Sequence, residues 1–141
     1  MTVFVDTNVL VYAHDPTERR KSAAADALLV QLWENGAGAL STQVLQEFYN
    51  VATGKLRPQL SPSRARSIVG DYAEWAVVET TPQLIVSASM LHECHGISFW
   101  DALIVEAALL AGADTLLTED LQDGRRFGDL TVRNPFLDTR H

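Results

Sequence analysis

Four carboxylates lie where strands or helices are expected to begin or end. Asp6 follows four residues of strong β propensity and comes directly before an apolar helical run. Glu47 lies at the border of the apolar stripe of a later helix, where a carboxylate without a partner is costly. Asp101 is in the first turn of an apolar helix, and Asp120 is in the loop after a short strand. If the fold brings them together, these side chains offer the oxygen ligands of a hard divalent cation.

A parallel sheet would bring the four acids together. Strands alternate with helices along the chain, which predicts an α/β fold: a three-layer α/β/α sandwich with a mostly parallel sheet of four to five strands. The strands are expected at residues 2–5, 37–41, 76–79, 115–118 and 130–133, and the helices at 9–13, 18–35, from 42 onward, 63–73, 82–94 and 98–111. Ligand sites of such sheets lie at the carboxyl ends of the strands. We therefore expect the acids to share that edge.

A cluster of four carboxylates requires bound cations, because the acids would otherwise repel one another and raise one another's pKa. Oxygen ligation without histidine suits Mg²⁺ or Mn²⁺. Such a site is suited to hydrolysis of a phosphodiester: one metal lowers the pKa of the attacking water, and a second, if present, stabilises the leaving oxygen. The sequence contains no glycine-rich phosphate loop, which argues against a nucleotide-triphosphate machine.

Each acid also has an ordinary structural explanation. Asp6 could cap the helix that follows it, and Asp101 stands three residues after Ser98 in the spacing of a capping box. Asp120 could cap a short helical turn. Glu47 is the hardest of the four to explain in this way. Near the end of the helix at 82–94, a zinc site is disfavoured because the histidines and the cysteine there lack the usual ligand spacing.

The composition fits one globular domain, residues 1–141, with a net charge of −7. That charge argues against nucleic-acid binding by a general positive field. It is unevenly distributed: residues 1–66 carry 7 Lys and Arg against 6 Asp and Glu, whereas residues 67–141 carry 4 against 12. Basic residues of the first part could contact an anionic substrate, although ordinary solvated surface explains them equally well; they are Arg19, Arg20, Lys21, Lys55 and Arg57. No transmembrane segment or signal peptide is recognisable, so we expect a cytoplasmic protein that does not bind membranes.

Four stretches, in this order, resemble the motifs of PIN-domain proteins, and in particular the toxin nucleases of VapBC toxin–antitoxin pairs. They are Val3-Phe-Val-Asp-Thr-Asn-Val-Leu10, Ser41-Thr-Gln-Val-Leu-Gln-Glu-Phe48, Ser98-Phe-Trp-Asp-Ala-Leu103 and Leu117-Thr-Glu-Asp-Leu-Gln-Asp-Gly124. The closing Asn134-Pro-Phe136 fits the same family, so the resemblance covers essentially the whole chain.

The resemblance implies a Mg²⁺- or Mn²⁺-dependent endoribonuclease that cuts single-stranded or looped RNA, is restrained by a cognate antitoxin and forms a homodimer. By position, the acidic quartet of the family corresponds to Asp6, Glu47, Asp101 and Asp120. Asn8 corresponds to the polar residue beside the first acid, and Thr118 to the hydroxyl residue before the last acid. Glu119 and Asp123 are close enough in the sequence to share or take over the role of Asp120.

Other functions remain open from the sequence. The nuclease could act on DNA or on a particular nucleic-acid structure, and a relative without catalysis could only bind RNA. A phosphoacceptor receiver domain also clusters acids at strand ends, but it needs a lysine beyond a late strand, and the only lysines here are Lys21 and Lys55. A purely structural α/β domain would leave Glu47 without an explanation.

Overall fold

The first strand, β1 (Val3–Val5), lies in the middle of the sheet in the computed structural model, which describes residues 1–137. The other strands are β2 (Gly38–Ser41), β3 (Ala76–Val78), β4 (Thr115–Leu117), β5 (Arg126–Phe127) and β6 (Leu130–Arg133). Their order across the sheet is β3-β2-β1-β4-β6-β5, and every neighbouring pair is parallel except β5 with β6. Because β1, β2 and β4 are parallel neighbours, the residues that follow them lie at one edge of the sheet.

Six helices cover the sheet in the described part of the chain. They are α1 (Thr7–Ala13), α2 (Arg19–Asn35), α3 (Thr42–Gly54), α4 (Pro62–Tyr72), α5 (Pro82–His95) and α6 (Phe99–Leu110). α1 packs against α2 and α3, α3 packs against α4, and α5 packs against α6. Of these, α2, α3 and α6 also contact β2. The predicted α/β sandwich with a mostly parallel sheet is therefore confirmed.

All five expected strands are present, and the sheet has one strand more than the sequence predicted. The additional strand, β5, is two residues long and pairs antiparallel with β6, with Phe127 opposite Leu130. A two-residue strand between Gly124 and Gly128 has no alternating pattern that could be recognised in the sequence. Helix boundaries differ by one or two residues, as at α1, which begins at Thr7, two residues before the predicted start. α2 ends as predicted at Asn35, before Gly36 in the left-handed conformation with φ of 69°.

α6 is less buried than its nearly continuous apolar sequence predicts. Its central residues, from Ala102 to Val105 and again at Ala107 and Ala108, are buried. Trp100 and Leu110, however, expose 64% and 68% of their surface. The helix packs against α5 and the sheet on one side only, so its ends present apolar side chains to solvent. Within residues 1–137, no helix has the length and apolar character required to cross a membrane.

Gly38 in β2 has no side chain, and the ring of Trp75 occupies the space where a side chain would lie. A Cβ atom at this position would come within 2.5 Å of the ring. Trp75 cannot move freely, because it also packs edge-on against Tyr72 at a centroid distance of 4.8 Å. We therefore expect Gly38→Ala to lower the free energy of unfolding by about 1–3 kcal/mol, as overpacking does, measured by urea denaturation.

Gly70 provides a control for this substitution, because it lies in α4 and a Cβ there would meet nothing within 4 Å. Gly70→Ala should raise the free energy of unfolding by about 0.5–1 kcal/mol, since alanine favours the helix. Equal effects of the two substitutions would contradict the proposed clash.

Candidate active site

Asp6 connects the end of β1 to the end of β4. The residue is buried, with 5% of its surface exposed. Its Oδ1 accepts a hydrogen bond from the backbone N–H of Thr7 at 2.7 Å, so Asp6 does cap α1. Its Oδ2 accepts a second hydrogen bond from the hydroxyl of Thr118 at 2.8 Å. The cap therefore accounts for one oxygen only, and the other is fixed by a residue 112 positions away in the sequence.

Glu47 reaches the same edge from α3. The hydroxyl of Thr7 donates a hydrogen bond to its Oε1 at 2.9 Å. Gln43, one turn earlier in α3, donates to the same oxygen at 3.4 Å and to the carbonyl oxygen of Trp100 at 3.4 Å. The partner that Glu47 requires is thus supplied by the residue next to Asp6, and Gln43 links α3 to the first turn of α6.

Asn8 and Thr118 hold Asp120 beside this pair. The side-chain amide of Asn8 donates to Asp120 Oδ2 at 3.1 Å and to the hydroxyl oxygen of Thr118 at 3.3 Å. The same hydroxyl oxygen accepts a hydrogen bond from the backbone N–H of Asp120 at 3.1 Å. No helical turn follows Asp120, so the prediction that it could cap one is wrong. Its carboxylate is directed instead toward the residues after β1.

Asp101 occupies the first turn of α6, and its carboxylate is not used by the helix cap. The hydroxyl of Ser98 accepts a hydrogen bond from the backbone N–H of Asp101 at 3.0 Å, which is half of a capping box. The reciprocal bond from the Asp101 carboxylate does not occur among the described residues. The carboxylate instead interacts electrostatically with Asp120, whose pKa it helps to raise.

Burial and mutual repulsion raise the pKa values of two of the acids. Burial raises the pKa of Asp6 to about 7, against the opposing hydrogen bonds from Thr118 and Thr7, and repulsion from Asp120 and Glu47 adds to the rise. Desolvation also raises the pKa of Asp120, followed by repulsion from Asp101, and the hydrogen bond from Asn8 opposes both. The cluster therefore holds more negative charge than its surroundings can stabilise.

A hard divalent cation fits this set of donors. The donors are all oxygen atoms, and Asn8 Oδ1 lies buried among them without a hydrogen-bond partner in the described structure. Within residues 1–137, no three Asp, Glu, His or Cys side chains come close enough to enclose a metal by themselves. The oxygen chemistry of the donors suits Mg²⁺ or Mn²⁺, which keep several water ligands and need few carboxylates.

The two alternative acids of the last motif have other partners. Glu119 accepts a hydrogen bond from the hydroxyl of Tyr12 at 2.5 Å and forms an ion pair with Lys21 at 3.1 Å. Asp123 accepts a hydrogen bond from the backbone N–H of Asn134 at 2.9 Å. Asp120 is thus the acid of this loop that the fold directs toward the cluster.

The five basic residues predicted to contact phosphate lie in different surroundings. Lys21 is engaged with Glu119, and the guanidinium of Arg57 donates to the carbonyl oxygens of Gly54 and Leu56 at the end of α3. Arg19 and Arg20 are exposed in the first turn of α2. Lys55 is exposed, forms no ion pair with any described residue and lines a cavity together with Asp120.

The sequence predictions did not include Thr7, Gln43 and Tyr12, which bind Glu47 or Glu119. A signal was present for Gln43, because it stands four residues before Glu47 in a helix and such pairs face each other. The contact of Thr7 depends on the distance between two helices, which the sequence does not give.

A sequence profile of the PIN domain matches residues 3–127.

Three solved structures share the fold. One is VapBC2 from Rickettsia felis, bound to a DNA fragment from its promoter. It is 21% identical to this chain, the alignment covers 95% of this chain and 98% of that chain, and the TM-score is 0.63. VapC20 from Mycobacterium tuberculosis, a sarcin-ricin loop cleaving toxin, is 18% identical, with 82% and 87% covered and a TM-score of 0.61. DNA-bound VapBC from Salmonella typhimurium is 15% identical, with 96% and 98% covered and a TM-score of 0.65. A search of curated proteins found no match. At these identities, the structural likeness establishes the fold alone.

Proposed function

The chain belongs to the PIN-domain family, and on that premise we propose that it is a metal-dependent endoribonuclease, the toxin of a type II toxin–antitoxin pair. The observation that carries the proposal is the position of Asp6. Its carboxylate is buried at the carboxyl end of the central strand. Glu47 from α3 and Asp120 from the loop after β4 interact with it electrostatically, and Asp101 from α6 interacts with Asp120. A purely structural domain gains no stability from carboxylates that repel one another in this way.

We assign the roles of the acids from their surroundings. Asp6 and Asp101 are the first candidates for direct metal ligands, and Glu47 and Asp120 complete the site through the metal or through water. When bound, Mg²⁺ or Mn²⁺ would lower the pKa of a water molecule and neutralise phosphate oxygens. Without a cation, the carboxylates would repel the phosphate that is to be cut, so we expect no cleavage by the metal-free chain.

Glu47 is suited to orient the attacking water. Its hydrogen bonds with Thr7 and Gln43 both involve Oε1, so Oε2 remains available to accept a hydrogen bond from a water molecule. Asn8 and Thr118 act as positioning residues, because together they fix Asp6 and Asp120 relative to each other. Arg19, Arg20, Lys21, Lys55 and Arg57 are proposed as phosphate contacts, of which Lys55 is the one beside the acids.

Cleavage of single-stranded RNA by the purified protein tests the function. We expect cutting with Mg²⁺ or Mn²⁺ and none with EDTA. Single-stranded DNA of the same sequence, tested in parallel, distinguishes a DNA-directed nuclease. If neither nucleic acid is cut by folded protein free of any antitoxin, but the protein crosslinks to RNA, the non-catalytic RNA-binding function replaces the proposal.

An antitoxin partner is proposed from the similar structures, two of which are VapBC complexes. Such a toxin would act in the cytoplasm, where its RNA substrates are. Expression of this chain alone should arrest growth, and coexpression of its antitoxin should restore growth.

We also propose a homodimer, which the exposed apolar face of α5 and α6 supports. Val86, Met90 and Leu110 expose 61%, 63% and 68% of their surfaces. Two neighbouring grooves between the helices, both lined by Ser87 and Glu106, connect Met90 with Leu110. Exposed apolar surface of this kind commonly marks an interface.

A charge placed on this face should dissociate the dimer. We expect Leu110→Lys to reduce the mass in solution from that of a dimer to that of a monomer, measured by size exclusion with light scattering. Val30→Lys on α2, also at an exposed apolar residue, should leave the mass unchanged. A dimer that persists in Leu110→Lys would place the interface elsewhere.

A further inference from the structure

A cavity of about 410 Å³ opens beside the acid cluster, between α1 and the end of α3. Thr7, Asn8 and Asp120 form the side that it shares with the cluster. A ligand in this cavity, here called the α1–α3 cavity, would therefore lie directly against the acids. Its volume falls within the range of about 300–1,000 Å³ typical of small-molecule sites.

The side of the α1–α3 cavity away from the acids is apolar. Val11 from α1, Val51 from α3 and Leu56 from the following loop line it, and Leu56 is almost completely buried. Tyr12 contributes an aromatic side chain. Apolar and aromatic surface of this kind suits the face of a nucleobase, which RNA-binding proteins commonly hold away from its neighbours in the strand.

Three polar side chains of the cavity have their donors occupied: the Thr7 hydroxyl donates to Glu47, the Asn8 amide to Asp120 and the Tyr12 hydroxyl to Glu119. Asp15 also lines the cavity, and both hydrogen bonds that Asp15 accepts, from the backbone N–H and the hydroxyl of Thr17, go to Oδ1 at 3.0 and 2.6 Å. Its Oδ2 accepts none from the described residues. Lys55 is the one cation among the lining residues, and it can contact a phosphate at the mouth. The cavity therefore favours a base whose edge carries donors, linked to a phosphate.

We propose that the α1–α3 cavity binds an unstacked guanine nucleotide of the RNA next to the phosphate that is cut. This inference rests on the proposed function, because it assigns a substrate to the same site. Guanine carries two N–H donors side by side on one edge, at N1 and N2, which match the two oxygens of a carboxylate or one oxygen with a neighbouring acceptor. Adenine and cytosine present a single amino group. Uracil presents one N–H between two carbonyl oxygens, which the carboxylates would repel.

Binding without cleavage gives the first test. Fluorescein-labelled hexauridylate and the same RNA with guanine at its fourth position are titrated with the protein in EDTA at low salt, and fluorescence anisotropy is recorded. We expect the guanine-containing RNA to bind at least about 5-fold more tightly, as a well-placed pair of hydrogen bonds to a base edge provides. With Mg²⁺, the same RNA should be cut beside its guanine and at a higher rate than hexauridylate.

Two substitutions relate this preference to the cavity. Asp15→Asn keeps an oxygen for the Thr17 turn but replaces the free oxygen by an amide that donates, and Val51→Phe fills the apolar side. Each should bring the affinities for the two RNAs to within about 2-fold of each other. Asp26→Asn and Val30→Phe, the same changes on α2 outside the cavity, should preserve the preference. Lys55→Ala should lower the affinity for both RNAs by the same factor and reduce the salt dependence of binding.

The outcomes separate this inference from the proposed function. Metal-dependent cutting of both RNAs with no preference for guanine overturns the inference and leaves the nuclease function in place. A guanine preference in binding without any cutting supports the cavity and overturns the nuclease function. Equal binding combined with no cutting overturns both. A preference that survives Asp15→Asn and Val51→Phe also overturns the inference, because guanine is then recognised elsewhere.

Discussion

Asp6→Asn should reduce metal-dependent cleavage of RNA by at least about 100-fold. Asparagine has nearly the shape of aspartate and can still accept the hydrogen bond from the backbone N–H of Thr7, so the fold is preserved. Asparagine lacks the negative charge that a cation requires. Asp6 is the most buried acid of the cluster, with Thr118 bound to its carboxylate and with Asp120 and Glu47 nearby. The rate is measured on single-stranded RNA with saturating Mg²⁺ and over a range of Mg²⁺ concentrations.

Asp123→Asn makes the same chemical change at an acid outside the cluster. Asp123 lies three residues after Asp120 but accepts a hydrogen bond from the backbone N–H of Asn134, which an asparagine oxygen can also accept. Its cleavage rate should stay within about 2-fold of the original protein. If the two variants lose activity equally, or if Asp6→Asn remains active, the assignment of the active site to this edge of the sheet is wrong.

The same substitution should make the metal-free protein more stable at neutral and alkaline pH. Because folding raises the pKa of Asp6 from 3.8 to about 7, the folded state holds its proton more tightly than the unfolded state. The protonated Asp6 carboxyl contributes fully to the free energy of unfolding below about pH 4, and this contribution is lost as the pH rises to about 7. This change in pKa corresponds to a gain of about 4 kcal/mol at most in the free energy of unfolding of Asp6→Asn relative to the original protein. The observed gain should be smaller, because asparagine disturbs the hydrogen bond from Thr118.

Urea denaturation in EDTA from pH 4 to pH 8.5 tests this prediction. The free energy of unfolding of the original protein should fall across this range relative to that of Asp6→Asn, and Asp120 should contribute in the same direction because its pKa is also raised. Added Mg²⁺ should stabilise the original protein more than the variant, since a bound cation favours the charged carboxylates. Parallel pH profiles for the two proteins would show that Asp6 is ionised in the metal-free fold.

The fold could largely be predicted because its main signals are local. The buried strands are short apolar runs, and the helices end at glycines such as Gly36 and Gly96, which adopt the left-handed conformation with φ of 69° and 65°. β5 was missed because two residues carry no periodicity. The exposure of Trp100 and Leu110 was missed because an apolar sequence does not show which of its faces the fold leaves uncovered.

The positions of the acids could be predicted, whereas their partners could not. Asp6, Asp101 and Asp120 lie near the ends of elements, and Glu47 lies at the border of an apolar stripe. Glu119 and Asp120 are neighbours with the same charge, and the sequence alone does not show which of them belongs to the cluster. In the bend that follows β4, Glu119 contacts Tyr12 and Lys21, while Asp120 contacts Asn8. Which neighbour faces the cluster is decided by the pairing of β1 with β4, a contact between distant parts of the chain.

The hydrogen bonds that Thr118 donates to Asp6 and accepts from Asn8 have a consequence for translation. They join residues that are more than a hundred positions apart in the sequence, and β4 must pair beside β1 before they form. A nascent chain therefore carries Asp6 and Glu47 without Asp120, and its acid cluster is incomplete. On the proposed function, a nascent chain gains its complete acid cluster, and with it cleavage activity, only after residues 118–120 have been synthesised.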